Sequence, residues 1–346
     1  MVALVLHPGH SKCGSTTIQD FIYKNRQVFR ARGVFLPDLN FNFPHHEDYN
    51  FNLTHTPRDY LAKVQSGDVN INELSEKIDG LIDNAKVIGC RRVIISAENL
   101  INGIASKNTK AIHQLFAEKF TDIKIVYYVR RQDELMLAAW QQWGHKEGDS
   151  LDAYIEKMIE TRFGDFNFIA NQLKSYYPNS KLRVYPLVRE YLVEQNLLID
   201  FCTRAVILQE GLNFDIGDSN TGISSALCDS LAKISTVYAN NHDQEVKSII
   251  NDSAIHSKRL ISKKYTADIS EKNLILLFDK FERLNKTLHQ RYFSKLPFDK
   301  VLSIPYPLEK GDKLLHLEKK VEKLEDLLAI QMDMLIELLK KTPHNE

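Results

Sequence analysis

The sequence lacks an excess of charge of either sign. Its 45 Lys and Arg stand against 45 Asp and Glu, for a formal net charge of zero. Such a chain has no global field to recruit nucleic acid or an anionic membrane surface, so nucleic acid is not an expected partner. It also lacks long apolar runs: no stretch approaches the ~20 residues that span a bilayer. The apolar run starting at Val2 leaves no room for a signal peptide, so no transmembrane segment and a cytoplasmic location are expected. Cysteine is scarce. Cys13, Cys90, Cys202 and Cys228 are scattered and form no CxxC pair, which argues against a zinc site and a disulfide framework and for a reducing compartment. The sequons at Asn52, Asn251 and Asn285 then read as chance occurrences. Internal repeats, low-complexity tracts and the GxxxxGK[ST] signature of nucleoside-triphosphate loops are missing too.

What remains is a chain of 346 residues, 43% hydrophobic and 26% charged, ordinary for a globular protein with a sizeable core. Four short apolar runs read as buried strands: 2–6, 92–96 (RVIIS), 123–129 (IKIVYYV) and 182–187 (LRVYPL). Between them lie helical patterns at 16–32, 74–85 and 111–120, one beginning at Leu135, and one that Ser150 caps. Residues 37–58 read as a loop, and from about 220 onward the pattern is helical. Strands alternating with helices predict an α/β domain over 1–308 around a central parallel sheet.

The chemistry concentrates at the start, in MVALVLHPGHSKCGSTTIQDF. A strand, a glycine-containing turn and a helix make an anion site, because the free N–H groups of the first helical turn point at the ligand and the helix dipole favours negative charge. Gly9 and Gly14 allow close backbone approach, Ser15, Thr16 and Thr17 add hydroxyls, and Lys12 adds a mobile cation. Lys12 precedes the second glycine, so this loop is expected to bind phosphate in a manner other than the triphosphate-loop manner.

HPGHSKCGSTTIQDFIYKNRQVFRARGVFLP resembles the 5'-phosphosulfate loop of sulfotransferases that use 3'-phosphoadenosine 5'-phosphosulfate (PAPS), including the Gly33-Val34-x-x-Pro37 ending. YYVRRQDELMLAAWQQ resembles their 3'-phosphate element, a strand followed by arginine, and its wording resembles bacterial carbohydrate sulfotransferases. Two further stretches, FNFIANQLKSYYPNSKLRVYPLVREYL and NTGISSALCDSLAKI, extend the resemblance over most of 1–300. Two positions depart from the pattern. Cys13 replaces a Thr or Ser, and Ala138 stands where a serine donor is expected.

The resemblance implies a phosphate-loop three-layer sandwich that moves a sulfuryl group from PAPS to a hydroxyl or amine of a carbohydrate, such as a surface polysaccharide or glycolipid precursor. Adenosine 3',5'-bisphosphate (PAP) would leave, and no metal is required. Carried onto this chain, the backbone from Lys12 through Cys13, Gly14 and Ser15 to Thr16, with Thr17 beside it, would hold the 5'-phosphate. Lys12 would stabilise the bridging oxygen and Arg130 the 3'-phosphate, with Arg131 either assisting or pairing with an acidic neighbour, and Ala138 would line that pocket without a donor. Glu98, at the end of the second strand, is the first candidate for the base, and His10 flanks the loop within reach of donor or acceptor. His7, Tyr127 and Tyr128 read as packed strand residues, and Trp140 and Trp143 suit either packing or a sugar face. His45 and His46 with Glu47 offer adjacent ligands without a third, and are read as a loop covering the acceptor rather than as a metal site.

From Leu314 apolar residues recur at 3-4 spacing through Leu338, with Gln331 at one core position and Lys and Glu between. This heptad pattern predicts a helix over 312–341 that forms a coiled coil between copies of the chain, as opposed to a single amphipathic helix lying on its own domain. Two other functions remain open at this level: an ATP-using kinase-like enzyme, and a catalytically weak scaffold that oligomerises through the tail.

Overall fold

The computed structural model describes residues 2–42, 56–216, 222–265, 269–306 and 313–341, with the side chains of 313–316 outside that description. His45, His46, Glu47 and the Asn52 sequon lie outside the described residues. The chain forms two compact units. One comprises Met1–Arg131, Asp165–Ser219 and Arg283–Ser303, and the other Gln132–Gly164, Asn220–Glu282 and Ile304–Glu346.

The first unit is α/β. Its strands are β1 (Ala3–His7), β2 (Val34–Phe35), β3 (Arg92–Ser96), β4 (Thr121–Val129) and β5 (Lys181–Pro186), all parallel, in the order β2-β3-β1-β4-β5. A central parallel strand is covered on both faces, so it is apolar throughout rather than alternating. β1 meets this demand: Leu4, Val5 and Leu6 are buried, as are Val93, Ile94 and Ile95 of β3 and Ile125 to Val129 of β4. The four strands expected from apolar runs are present. β2 has two residues, too few to produce a period of its own, and it pairs with β3 from Val34 to Arg92 and from Phe35 to Val93.

One expected helix is broken. The pattern at 16–32 forms two helices, Ser15–Lys24 and Arg26–Ala31. Asn25 interrupts them. Its side-chain amide donates to the Phe21 carbonyl (3.0 Å) and the Asn213 carbonyl (2.9 Å), and its oxygen accepts the Asn213 N–H (2.7 Å). A buried amide that ties a distant segment in this way competes with helix continuation.

The second unit is helical among its described residues. Ser150 caps the Leu151–Ile159 helix by accepting the Ala153 N–H, as the sequence suggests. Trp140 is fully buried and donates its indole N–H to the Asp149 carbonyl at 2.8 Å, which makes it a packing residue. The heptad segment is one helix, Lys313–Lys341. It lies on the Ser225–Ala232, Glu245–Ser253 and Lys258–Ile261 helices of its own unit. No helix among the described residues is long and apolar enough to cross a membrane.

Candidate active site

The strand order places a switch point between β1 and β4. The chain leaves β1 for the β2 edge and leaves β4 for the β5 edge, so the loops at their C-terminal ends diverge and open a crevice. The loop after β1 carries His10 to Gly14, and the residues after β4 are Arg130 and Arg131. These two loops meet: an Arg130 guanidinium nitrogen lies 3.4 Å from the Lys12 carbonyl oxygen. Residues 118 positions apart are thus neighbours at the C-terminal edge of the sheet.

The loop is shaped by residues in the left-handed region. Gly9 (φ 48°), Lys12 (φ 63°) and Gly14 (φ 78°) all lie there. Gly14 has no substitute without cost, since a Cβ at that position would stand 2.5 Å from a Leu197 methyl. Gly14 opens the Ser15–Lys24 helix and brings no side-chain cap. The N–H groups of the first turn therefore have no side-chain acceptor from the cap, and the positive end of the dipole faces the crevice. Ser15 is buried here, while Thr16 and Thr17 are partly exposed.

Glu98 reaches the same place from β3. It begins a short 3-10 turn, Glu98–Ile101, directly after the strand. Its carboxylate accepts a hydrogen bond from the Ser15 hydroxyl. The turn is anchored by a reciprocal amide pair: Asn99 donates to the Gln65 side-chain oxygen (3.2 Å) and the Gln65 amide donates to the Asn99 carbonyl (2.8 Å). Asn99 also donates to the Arg58 carbonyl at 2.8 Å. These contacts fix the backbone from which Glu98 projects.

His10 is buried, and its Nδ1–H donates to the Ser11 carbonyl at 2.9 Å. That bond selects the tautomer with its lone pair on Nε2. Its ring packs edge-on against Phe166, with centroids 5.0 Å apart, and burial pulls its pKa down to about 4. His7 lies deeper. It is fully buried with Nδ1 2.7 Å from the Ser96 hydroxyl, and burial takes its pKa down to about 3. Cys13 is buried under the loop, and desolvation raises its thiol to about 12, against the opposing pull of Arg130. The thiol therefore stays protonated at neutral pH and is not a nucleophile.

The structure brings together Lys12, Cys13, Gly14, Ser15, Thr16, Thr17, His10, Glu98 and Arg130 around the edge of β1, β3 and β4. Arg131 ends the first unit, and Ala138 belongs to the second, within the Gln132–Trp140 helix. Tyr127 and Tyr128 are buried strand residues. Tyr128 donates to Asp200 (2.6 Å), which also pairs with Arg204 at 3.1 Å and accepts the Val193 N–H at 3.0 Å. This network seats the Leu197–Ala205 helix, whose first residue abuts Gly14. Asn99, Gln65, Asp200 and Leu197 escape sequence reasoning because each acts through another residue and belongs to no local pattern.

No family model matches the chain, and no curated protein matches it.

Proposed function

We propose that the chain is a sulfotransferase that transfers a sulfuryl group from PAPS to a hydroxyl or amine of a carbohydrate. The observation that carries this reading is the meeting of the Lys12 loop with Arg130 at the switch point of a parallel sheet. PAPS bears two separated phosphates. An N-terminal helix turn beside a guanidinium supplies two anion-binding elements of different kinds.

In this reading the N–H groups of Gly14 through Thr17 take the 5'-phosphate and Arg130 takes the 3'-phosphate. The bond that breaks joins sulfur to the oxygen bridging it to the 5'-phosphate. The electron pair stays on that oxygen, where Lys12 offsets the growing negative charge. The bond that forms joins sulfur to the acceptor oxygen or nitrogen, whose proton passes to Glu98. Ser15 holds one Glu98 oxygen through its hydroxyl, which leaves the other oxygen to accept that proton. His10, neutral with its lone pair on Nε2, orients the acceptor by accepting a hydrogen bond. Positioning and charge stabilisation do most of the work, as in phosphoryl transfer. The carbohydrate acceptor and the cytoplasmic setting rest on the sequence reading alone.

Calorimetric titration of the intact chain with PAP and with ADP tests the reading. PAP is expected to bind at least ~10-fold more tightly, because a charge-assisted contact to the 3'-phosphate contributes about 1.5–3 kcal/mol. Equal affinity for the two nucleotides would remove the basis for PAPS. Turnover of ATP with magnesium would move the assignment to a kinase-like enzyme.

A further inference from the structure

The Lys313–Lys341 helix has two usable faces, and the described residues of its own unit cover only one. Ile330, Asp333 and Glu337 are buried on the covered face. Asp333 accepts the backbone N–H groups of His256 (2.9 Å) and Ser257 (2.8 Å), and Asp326 accepts from Lys263 and from the Tyr265 hydroxyl, both at 2.5 Å. At 100° per residue the heptad seam points about 160° away from this face. Its core residues Leu317, Val321, Leu324, Leu328, Leu335 and Leu338 are between 46% and 62% exposed. A hydrophobic seam this long, left open beside a polar packed face, is an interaction surface.

We propose that the occupant is the same helix of a second copy of the chain, in a parallel, in-register, two-stranded coiled coil. The flanking residues select the orientation. With Val321, Leu328 and Leu335 at a and Leu317, Leu324, Gln331 and Leu338 at d, Lys320 falls at g and Glu325 at e. A parallel pair sets each g residue against the e residue five positions on in the other copy. Lys320 then meets the partner's Glu325, Leu327 meets the partner's Met332, and Met334 meets the partner's Leu339. Charge faces charge, and apolar faces apolar. An antiparallel pair sets e against e and g against g, which in the core register nearest full overlap puts Glu325 opposite the partner's Glu325 and Lys320 opposite the partner's Met334.

Register follows from Gln331. Only the in-register alignment puts the two Gln331 amides against each other, where each can donate to the other. A shift of one heptad buries both against leucine. The copy number follows from cover. A trimer buries both flanks of each helix deeply, whereas a dimer touches them only at the rim of its seam, and the Leu327 and Met334 flank is already half-covered by the chain's own unit. The opposite flank is open and apolar, with Met332 49%, Ile336 44% and Leu339 58% exposed.

The test uses the full chain. Sedimentation equilibrium should give twice the chain mass. The double variant Leu324→Glu/Leu328→Glu should sediment as a monomer with an unchanged circular dichroism spectrum, since both side chains are exposed in the single copy. Leu317→Cys reads the orientation, because the four native thiols are buried. Under mild oxidant this variant should form a disulfide-linked dimer in the parallel arrangement. In the fully overlapped antiparallel one its thiols sit about 30 Å apart. A monomeric wild type, a dimer that survives the double substitution, or a dimer of the cysteine variant that does not cross-link would each overturn the proposal. None of these outcomes bears on nucleotide binding.

Discussion

The loop after β1 and the Lys313–Lys341 helix depart from the usual burial rule in opposite directions. The loop buries polar groups: His10 and Ser15 are almost fully enclosed, as is the Cys13 thiol. The helix exposes apolar ones along most of its length. Buried polar groups cost free energy unless partnered, and the loop meets that cost with the Ser15–Glu98 bond, the His10–Ser11 bond and the Arg130–Lys12 contact. The exposed seam is not covered to that degree by the described residues of the single chain. The first feature is thus completed by its own fold, and in the proposed function it takes a small anion. The second, in the proposed dimer, is covered by another copy of the chain.

The sharpest way to break this comparison is Glu98→Gln. If the loop is a reaction centre rather than a packed turn, turnover of PAPS should fall by about 10²–10⁴-fold while PAP affinity stays within a few-fold. A steady-state assay beside a binding titration reads both. A parallel loss of affinity and rate would make Glu98 a structural partner of Ser15 and nothing more.

Next in size is Gly14→Val. The left-handed backbone costs about 1–2 kcal/mol for a residue with a Cβ, and the contact with Leu197 adds about 1–3 kcal/mol more. Urea unfolding should register the sum. A loss below about 0.5 kcal/mol would mean that the loop is looser than its geometry implies.

The two faces of the long helix can be compared directly. Ile330→Ala removes a side chain that is 3% exposed and should cost about 2–4 kcal/mol. Leu328→Ala removes one that is 59% exposed and should change the stability of the monomer by less than about 0.5 kcal/mol. Measuring both in the Leu324→Glu background keeps association out of the comparison. Equal costs would erase the distinction between covered and open faces.

A last test uses pH rather than substitution. His7, His10 and His113 are buried in the first unit, with pKa values lowered to about 3, 4 and 4 by desolvation. The unfolded chain, with histidine near 6.5, then binds more protons than the folded one below that pH. Stability should be flat above about pH 6.5. It should fall toward pH 4 by up to about 1.4 kcal/mol per pH unit for each histidine, and level off below the folded values. Unfolding curves between pH 4 and 7 check this. Stability that rises on acidification would contradict the burial of these rings.

How much of this was legible in the sequence depends on how local each signal is. RVIIS and IKIVYYV are strands because uninterrupted β-branched and aromatic runs suit a strand buried on both faces. Gly14, Ser15 and Arg130 stood out because their types are tied to turn geometry and anion chemistry. β2 was hidden because two residues carry no period, and the break at Asn25 because its cause is a bond to Asn213, far along the chain. The heptad seam was legible in its spacing. That its apolar face points away from the unit carrying it was not, because which face of a helix is covered depends on residues such as Ser257 and Tyr265 in other segments.

The account rests most heavily on Arg130 reading a 3'-phosphate beside the Lys12 loop. The direct test is the affinity ratio of PAP to adenosine 5'-phosphate, measured by calorimetry on the wild type and on Arg130→Ala. The account predicts a strong preference for PAP in the wild type that collapses to nearly equal binding in the variant, with adenosine 5'-phosphate itself bound almost as before. A preference that persists in the variant, or that the wild type never shows, would contradict it.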